Sequence, residues 1–277
     1  MQLPYTKTLT MHGKDGVIYY SFPQMDAYPF LKAGLSTRLG GVSEGIYATM
    51  NLSYTRGDDA TRVDENFKRI CMAMGLPYEG VVISAQEHHV NIKNVTAADC
   101  GKGKTNAAFK DVDGLITDEP GVVLCTQYAD CVPLLFADPK KRVVAASHAG
   151  WRGTVAEIGR LTVERMKSDY GCDPADVLAG IAPSIGRCCF EVDTPVFDAF
   201  EKMQVFDDGC FVYDGGDKYH IDLWEVNRRV LLSAGIRADN VTVTDLCTRC
   251  YPDLFWSHRK TGPARGSLAA FIGMIDE

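Results

Sequence analysis

Long apolar runs are missing from this sequence, and so are dense clusters of basic residues. No stretch approaches the roughly 20 apolar residues that a membrane-spanning helix needs, and the N-terminal residues lack the apolar core of a secretion signal. The formal net charge is −7, and no Lys/Arg block is suited to following a phosphate backbone. These absences exclude a membrane or nucleic acid as the main partner, and they predict a cytoplasmic protein that acts on a small molecule.

Repeats, low-complexity tracts and long linkers are also absent, which predicts one continuous domain over residues 1–277. Hydrophobic residues make up 46% of the chain, enough for a substantial buried core. The ten cysteines need not form a disulfide framework in a chain of this length without a secretion signal. Most of them are expected to be buried thiols, because free cysteine packs as a small apolar residue.

The order of the predicted elements alternates between strands and helices. Residues 17–23 and 81–90 are predicted as strands, the second ending in a polar segment that carries histidine, and residues 64–74 have helical spacing. Three apolar runs follow at 121–127, 132–138 and 142–148, of which the last two predict a hairpin, and residues 154–171 predict a helix. This mixture predicts a layered α/β or α+β fold.

Three residues, His88, Cys131 and His148, are candidates for one metal site. Each lies at or near the end of a predicted strand, and two imidazoles with one thiolate are the number of protein ligands that leaves zinc a free fourth position. Their irregular spacing also fits a cysteine in the core and histidines that are merely hydrogen-bonded. The flanking residues, such as Glu87, Asp130 and Gly150, suit a closed core poorly and favour the metal site.

Two glycine-containing segments are candidates for contact with substrate. The turn after His148 holds Arg152 between two glycines, and the helix that follows offers unpaired N–H groups to an anion. An ordinary strand-to-helix turn has the same composition. The polar segment 36–53, with Arg38 and Asn51, fits either a site-lining loop or an ordinary surface loop.

Two further segments carry weaker signals. Ser184 follows a predicted buried strand, and the adjacent Cys188 and Cys189 are interpreted as structural residues. Cys247 and Cys250 form a C-x-x-C motif, but no second such pair completes a zinc motif, so burial is favoured over a redox role.

Seven segments together resemble one known family over nearly the full length of the chain. They are STRLGGVSEGIYATMNLS, the step from Gln86 to His88, DVDGLIT, ADCVPLLFAD, SHAGWRGT, IAPSIGRCCFEV and FWSHRKTGPARG. In this order they resemble the YfiH-like proteins, also called the laccase-domain or multicopper polyphenol oxidase family. The resemblance implies two packed mixed β-sheets flanked by helices in four layers, α/β/β/α.

The resemblance also implies a chemistry. It makes His88, Cys131 and His148 zinc ligands, and it implies phosphorolysis of adenosine, inosine, guanosine or methylthioadenosine together with deamination of adenosine. Substrate contacts are predicted for Arg38, Asn51, Gln86, Arg152 and Ser184. The sequence departs from the family at His89, where glycine is usual, which leaves open which adjacent histidine is the ligand. Alternation along a strand predicts that the two point to opposite faces.

The predicted mechanism joins these parts. Zinc would activate water for deamination while Asp130 moves protons, and arginines would hold the phosphate for phosphorolysis. Four alternatives remain at this point: a copper polyphenol oxidase, a metal-free cysteine hydrolase with Cys131 as nucleophile and His148 as base, a hydrolase that edits peptidoglycan precursors, and a metal-buffering or nucleoside-sensing protein. Six histidines are too few for a multicopper centre, although copper could occupy the predicted site. A monomer or small homo-oligomer is expected.

Overall fold

Two six-stranded mixed sheets and one small sheet make up the β-structure of the computed structural model, which describes residues 3–104 and 106–276. In spatial order, the first sheet contains β1 (Thr10–Lys14), β2 (Val17–Ser21), β3 (Leu31–Ser36), β15 (Leu268–Met274), β7 (Val123–Tyr128) and β4 (Val81–Ile83). The second contains β14 (Val241–Val243), β10 (Leu178–Ile181), β8 (Val132–Asp138), β9 (Val143–Ala149), β6 (Gly114–Thr117) and β5 (Ile92–Asn94). The third contains β11 (Glu191–Asp193), β13 (Lys218–Ile221) and β12 (Phe211–Gly215).

Helices cover the outer faces of the two large sheets. The α-helices are α1 (Pro23–Asp26), α2 (Ala60–Met74), α3 (Trp151–Val155), α4 (Ile158–Tyr170), α5 (Thr194–Glu201), α6 (Leu223–Ser233) and α7 (His258–Thr261). Helix α2 packs on the first sheet, whereas α4 and α6 pack on the second. Within the described ranges, no helix has the length and apolar character to cross a membrane.

The two large sheets pack face to face around a shared apolar core. Leu35 and Leu124 of the first sheet meet Leu135 and Ala146 of the second, and all four are fully buried. Burial of a leucine side chain contributes about 1.5–3 kcal/mol, so this interface is a main source of stability. The predicted four-layer arrangement of helices and mixed sheets is confirmed, whereas the third small sheet was not predicted.

Helix α2 forms where the sequence predicted a helix over residues 64–74, but it begins about one turn earlier, at Ala60. Asp59 caps its N-terminus by accepting hydrogen bonds from the backbone N–H groups of Thr61 and Arg62, and Gly75 ends it in the left-handed conformation at φ 71°. Its buried face consists of Val63, Asn66, Phe67, Ile70, Cys71 and Met74. The spacing of these residues at three and four positions accounts for the successful prediction.

The predicted hairpin of β8 and β9 is also confirmed. Antiparallel pairing brings His148 opposite Pro133, and therefore close to Cys131, which directly precedes β8. The helix predicted from 154 to 171 is instead split into α3 and α4, because Glu157 takes a left-handed backbone conformation at φ 55°. The strand predicted over 81–90 ends after Ile83, and the remainder is a loop.

Candidate metal centre and pocket

The three predicted ligands meet at one point of the structure. The ligand atoms of His88, Cys131 and His148 all lie within 4.8 Å of one another, and Nε2 of His88 is 3.9 Å from Sγ of Cys131. His88 comes from the loop after β4, Cys131 from the turn between β7 and β8, and His148 from β9. His148 is buried, Cys131 is half-buried and His88 is exposed, so the group opens from the protein interior towards solvent.

A buried carboxylate that was not predicted as a site residue, Asp113, holds two of the ligands. Its Oδ1 lies 2.7 Å from Nδ1 of His148, and it accepts hydrogen bonds from the backbone N–H groups of Glu87, His88 and His89 at 2.9–3.1 Å. The bond at Nδ1 leaves Nε2 of His148 available for a metal ion. Because these three N–H groups bond to a side chain, residues 87–89 do not pair with a strand, and this part of the predicted strand is a loop.

Backbone conformation explains how His88 and Cys131 reach the same point. His88 lies in the left-handed region at φ 64°, and Asp130, next to Cys131, does so at φ 88°. These conformations are uncommon for residues other than glycine and occur often in functional loops. Asp130 is held by hydrogen bonds from the Thr248 hydroxyl and the Arg259 backbone N–H, both at 2.6 Å.

The space around the three ligands fits a metal ion and little else. A Cβ atom at Gly150 would lie 2.9 Å from Cδ2 of His88 and 3.3 Å from Sγ of Cys131, so only glycine permits this close approach. One thiolate and two imidazoles are a common donor set for zinc, and here the second ring nitrogen of one imidazole, Nδ1 of His148, is hydrogen-bonded to Asp113. The residues present therefore fit the metal that the motifs implied.

The charges of the group favour a deprotonated Cys131. Burial alone would raise the pKa of its thiol, but the imidazoles of His148 and His88 outweigh this and lower the pKa to about 6. Burial would lower the pKa of His148, but the Cys131 thiolate and the Asp113 carboxylate raise it to about 9. A thiolate is the form of cysteine that binds a metal, so Cys131 is already in its binding state at neutral pH, whereas His148 releases a proton when a metal binds.

His89 does not join the group. Its Nδ1 lies 2.8 Å from Oδ1 of Asp111, and this exposed carboxylate raises the pKa of the imidazole. The two adjacent histidines do point in different directions. The cause, however, is the left-handed conformation of His88 in a loop rather than the alternation of a strand.

A cavity of about 670 Å³ opens beside the three ligands. Its walls include Gln86, Asp130, Tyr54, Trp151 and Phe190, and three arginines, Arg56, Arg259 and Arg265, which the sequence did not single out. A cavity of this size fits a ligand of nucleoside dimensions. The arginines give the pocket a cationic side in a protein whose net charge is negative.

Arg265 is the most unusual of these arginines, because it is 95% buried and has no carboxylate partner among the described residues. Its Nη1 donates to the carbonyl of Gly266 at 2.8 Å, whereas its buried Nε has no hydrogen-bond partner. Burial lowers the pKa of its guanidinium to about 10, which still leaves it charged at neutral pH. A buried cation without a carboxylate partner beside a cavity points to an anionic ligand.

Of the residues predicted to contact substrate, Gln86 lines the cavity. It also braces the loop, since its Oε1 accepts from the Gln127 backbone N–H at 2.6 Å and its Nε2 donates to the Gln127 carbonyl at 2.7 Å. The exposed Arg152 is not among the lining residues of the described chain, and its guanidinium lies over the ring of Trp151 at 4.3 Å.

The other three predicted contacts lie behind the pocket wall. Arg38 donates to the carbonyls of Ala48 and Pro252, both at 2.8 Å, and lies over the Trp256 ring. Asn51 is fully buried and accepts from the Ser267 backbone N–H at 3.0 Å, and Ser267 itself lines the pocket. Ser184 is fully buried and accepts from Nε1 of Trp224 at 2.7 Å. None of the three is among the described residues that line the cavity.

Comparison with known proteins agrees with this geometry. The family model described as multi-copper polyphenol oxidoreductase laccase matches residues 32–275. The purine nucleoside phosphorylase YlmD of Bacillus subtilis (strain 168) is 37% identical over 244 residues, which are 87% of this chain and 88% of that protein. The adenosine deaminase RL5, from an unknown prokaryotic organism, is 36% identical over 233 residues, 82% of this chain and 88% of that protein.

A solved structure extends the likeness to the fold. The crystal structure of YlmD from Geobacillus stearothermophilus superposes with a TM-score of 0.88 at 34% identity, and the match covers 96% of this chain and 99% of that one. The resemblance predicted from the order of the motifs is thereby confirmed.

Proposed function

This chain belongs to the multi-copper polyphenol oxidoreductase laccase family, and from that premise we propose that it is a zinc-dependent purine nucleoside phosphorylase that also deaminates adenosine. Relatives at 36–37% identity that carry the names of these two activities support the proposal. The proposal includes a cytoplasmic location and a monomer or small homo-oligomer. The substrates proposed are adenosine, inosine, guanosine and methylthioadenosine.

One observation carries the proposal: a single cavity is lined both by the three candidate ligands and by Arg265, a buried arginine whose Nε has no hydrogen-bond partner. Phosphorolysis joins a phosphate to C1′ of the ribose as the purine leaves, so it needs an anion site and a site for the purine in one enclosure. Arg265, together with Arg56 and Arg259, would hold the phosphate. The rings of Phe190 and Trp151 offer apolar surface to the purine.

The three ligands would hold zinc through Nε2 of His88, Sγ of Cys131 and Nε2 of His148. When bound there, the ion supplies Lewis acidity to an oxygen of water or substrate at its free position. Asp113 fixes the orientation of His148 and thereby the direction of that position. Asp130 remains the proposed proton carrier, held at the cavity wall by Thr248 and Arg259.

Direct substrate contact is proposed for Gln86, whose side chain lines the cavity. Arg38, Asn51 and Ser184 do not line the cavity, and we propose a supporting role for them; Asn51 accepts a bond from Ser267 of the cavity wall. Arg152 is exposed, and a contact with substrate would require it to act at the entrance.

Turnover measurements on the purified protein test the proposal. Adenosine and inosine should yield a free purine and ribose 1-phosphate only when phosphate is present, and adenosine alone should yield inosine. The Arg265→Met variant should lose about 10- to 100-fold in kcat/KM for phosphate, which corresponds to the roughly 1.5–3 kcal/mol of a hydrogen bond to a charged group. Deamination in the same variant should change far less.

Arg237→Met is the matched control, since it removes an exposed arginine outside the cavity lining and should leave the phosphate kinetics unchanged. A wild-type protein that gives no phosphate-dependent product from any of the four nucleosides would contradict the proposal. Equal losses in both reactions for Arg265→Met would contradict its role in binding phosphate.

A second candidate is the metal-free cysteine hydrolase, because the lowered pKa of Cys131 would also suit a nucleophile. The two proposals differ in their response to chelation. Removal of metal should abolish turnover by the zinc enzyme and zinc should restore it, whereas a cysteine hydrolase should keep its activity. Elemental analysis of the same samples separates zinc from copper.

A further inference from the structure

Four cysteines outside the pocket lie together as a second group of ligands. The Sγ atoms of Cys188, Cys189, Cys247 and Cys250 all lie within 4.8 Å of one another. Cys188 and Cys189 lie 3.6 and 3.5 Å from Cys250, respectively, and 3.6 Å from each other. All four are free thiols. We call this group the four-cysteine cluster.

Backbone pairing between two distant segments builds this cluster. Ser184 forms an isolated parallel bridge with Cys247, and the backbone N–H of Thr248 donates to the Ser184 carbonyl at 2.9 Å. The turn of the C-x-x-C motif is closed by a bond from the Cys250 N–H to the Cys247 carbonyl at 3.2 Å. The sequence showed no second C-x-x-C pair, but the structure places the adjacent cysteines 188 and 189 beside the C-x-x-C motif.

The arrangement matches what a tetrahedral metal ion requires. Zinc–sulfur bonds of about 2.3 Å at tetrahedral angles place neighbouring sulfurs about 3.8 Å apart. Sulfurs joined in a disulfide are about 2.05 Å apart, much closer than the 3.5–3.6 Å between these sulfurs. From this geometry we infer that the four-cysteine cluster is a second metal site, which binds a structural zinc ion through four thiolates.

Neighbouring donors suit the charge of such a site. Four thiolates and one zinc ion carry a net charge of −2, which needs compensation near the protein surface. Nη1 of Arg249 lies 3.3 Å from Sγ of Cys189, and the backbone N–H of Gly186 donates to Sγ of Cys247 at 3.2 Å. Cys189 and Cys247 are buried and Cys188 and Cys250 are exposed, so the ion can enter from solvent.

The cluster also has a consequence for the pocket wall. Ile185 and Phe190, which flank the segment holding Cys188 and Cys189, both line the cavity. Arg259 donates through Nη1 to the Cys189 carbonyl at 3.1 Å and through its backbone N–H to Asp130. An ion at the cluster would therefore fix this wall relative to Asp130. The inference itself stands independently of the proposed enzymatic function.

Metal counting on the full chain, purified without chelators or added metal, tests the inference. Inductively coupled plasma mass spectrometry should find two zinc ions per chain in the wild-type protein. The double variant Cys188→Ser/Cys250→Ser should hold one, and so should His88→Ala, which disables only the pocket site. Cys100→Ser, a half-buried cysteine outside both groups, is the control and should hold two.

Cobalt substitution identifies the ligands without relying on the stability of the double variant. In His88→Ala, the remaining cobalt ion should show the intense near-ultraviolet charge-transfer bands of four thiolates. Three results would each overturn the inference: a wild-type chain whose metal content is unchanged in Cys188→Ser/Cys250→Ser, no such bands in cobalt-loaded His88→Ala, or a disulfide among the four cysteines in peptide mass spectra. Sulfur-bound cobalt in an inactive wild-type protein would instead count against the enzymatic proposal alone.

Discussion

The pocket group of His88, Cys131 and His148 combines two loops with strand β9, whereas the four-cysteine cluster comes from two loops, and the two groups differ in the number and type of their ligands. The pocket group has three ligands of mixed nitrogen and sulfur and faces a cavity of about 670 Å³. The cluster has four sulfurs, so an ion there has no position left for substrate. A metal ion with a free coordination position that faces a cavity can take part in a reaction. An ion with four protein ligands has a structural role.

The two groups also differ in what supports them. Asp113 orients the pocket group through one imidazole and three backbone N–H groups. The cluster is supported by the backbone pairing of its own two segments and by Arg249. The pocket group therefore depends on a single buried carboxylate. A substitution of Asp113 should disturb the pocket group and leave the four-cysteine cluster unchanged.

The largest effect is expected from His88→Ala. Loss of one of three ligands should abolish metal binding in the pocket and reduce turnover by more than about 100-fold, because coordination is then incomplete. His89→Ala is the matched control, since its imidazole pairs with Asp111, and it should keep both metal and turnover. Metal analysis with nucleoside turnover checks both variants. Equal losses in the two variants would remove the assignment of His88 as the ligand.

A smaller effect is expected from Asp113→Asn. The amide cannot accept as strongly from Nδ1 of His148 and the three N–H groups, so the affinity of the pocket for zinc should fall about 10- to 100-fold. Asp111→Asn, which changes a neighbouring carboxylate bonded to His89, should leave the zinc affinity unchanged. Competition with a coloured zinc chelator measures both. If the two variants lose affinity equally, Asp113 has no special part in orienting the ligands.

The smallest of these effects is expected from Gly150→Ala. The added Cβ would lie 2.9 Å from the His88 ring, which must shift, and overpacking of this kind costs about 1–3 kcal/mol. Zinc affinity in the pocket should fall, while cobalt bound at the four-cysteine cluster should keep its spectrum. A lower zinc affinity with an unchanged thermal midpoint would place the strain at the ligands. Unchanged zinc affinity would show that the ring has room to move.

The sequence predicted the elements whose signal is local. The spacing in α2 and the apolar runs of β8 and β9 follow from which faces of each element are buried, and the structure agrees with them. The ends of elements were less well predicted. Residues 87–89 lie in a loop in which Asp113, more than 20 residues away, accepts bonds from all three backbone N–H groups, and no periodicity in the sequence signals such bonds.

Motif order was enough to identify the family, and the resemblance together with the polar flanking residues pointed to the three side chains that meet at the pocket. Only the tertiary structure decided which of His88 and His89 faces Cys131, that Arg265 lies unpaired beside them, and that Cys250 meets Cys189 across 61 positions of chain. The physical reason is that hydrogen bonding and metal coordination join atoms at a few ångströms in space. Distances along the chain constrain such contacts only after strand register and loop conformation are fixed.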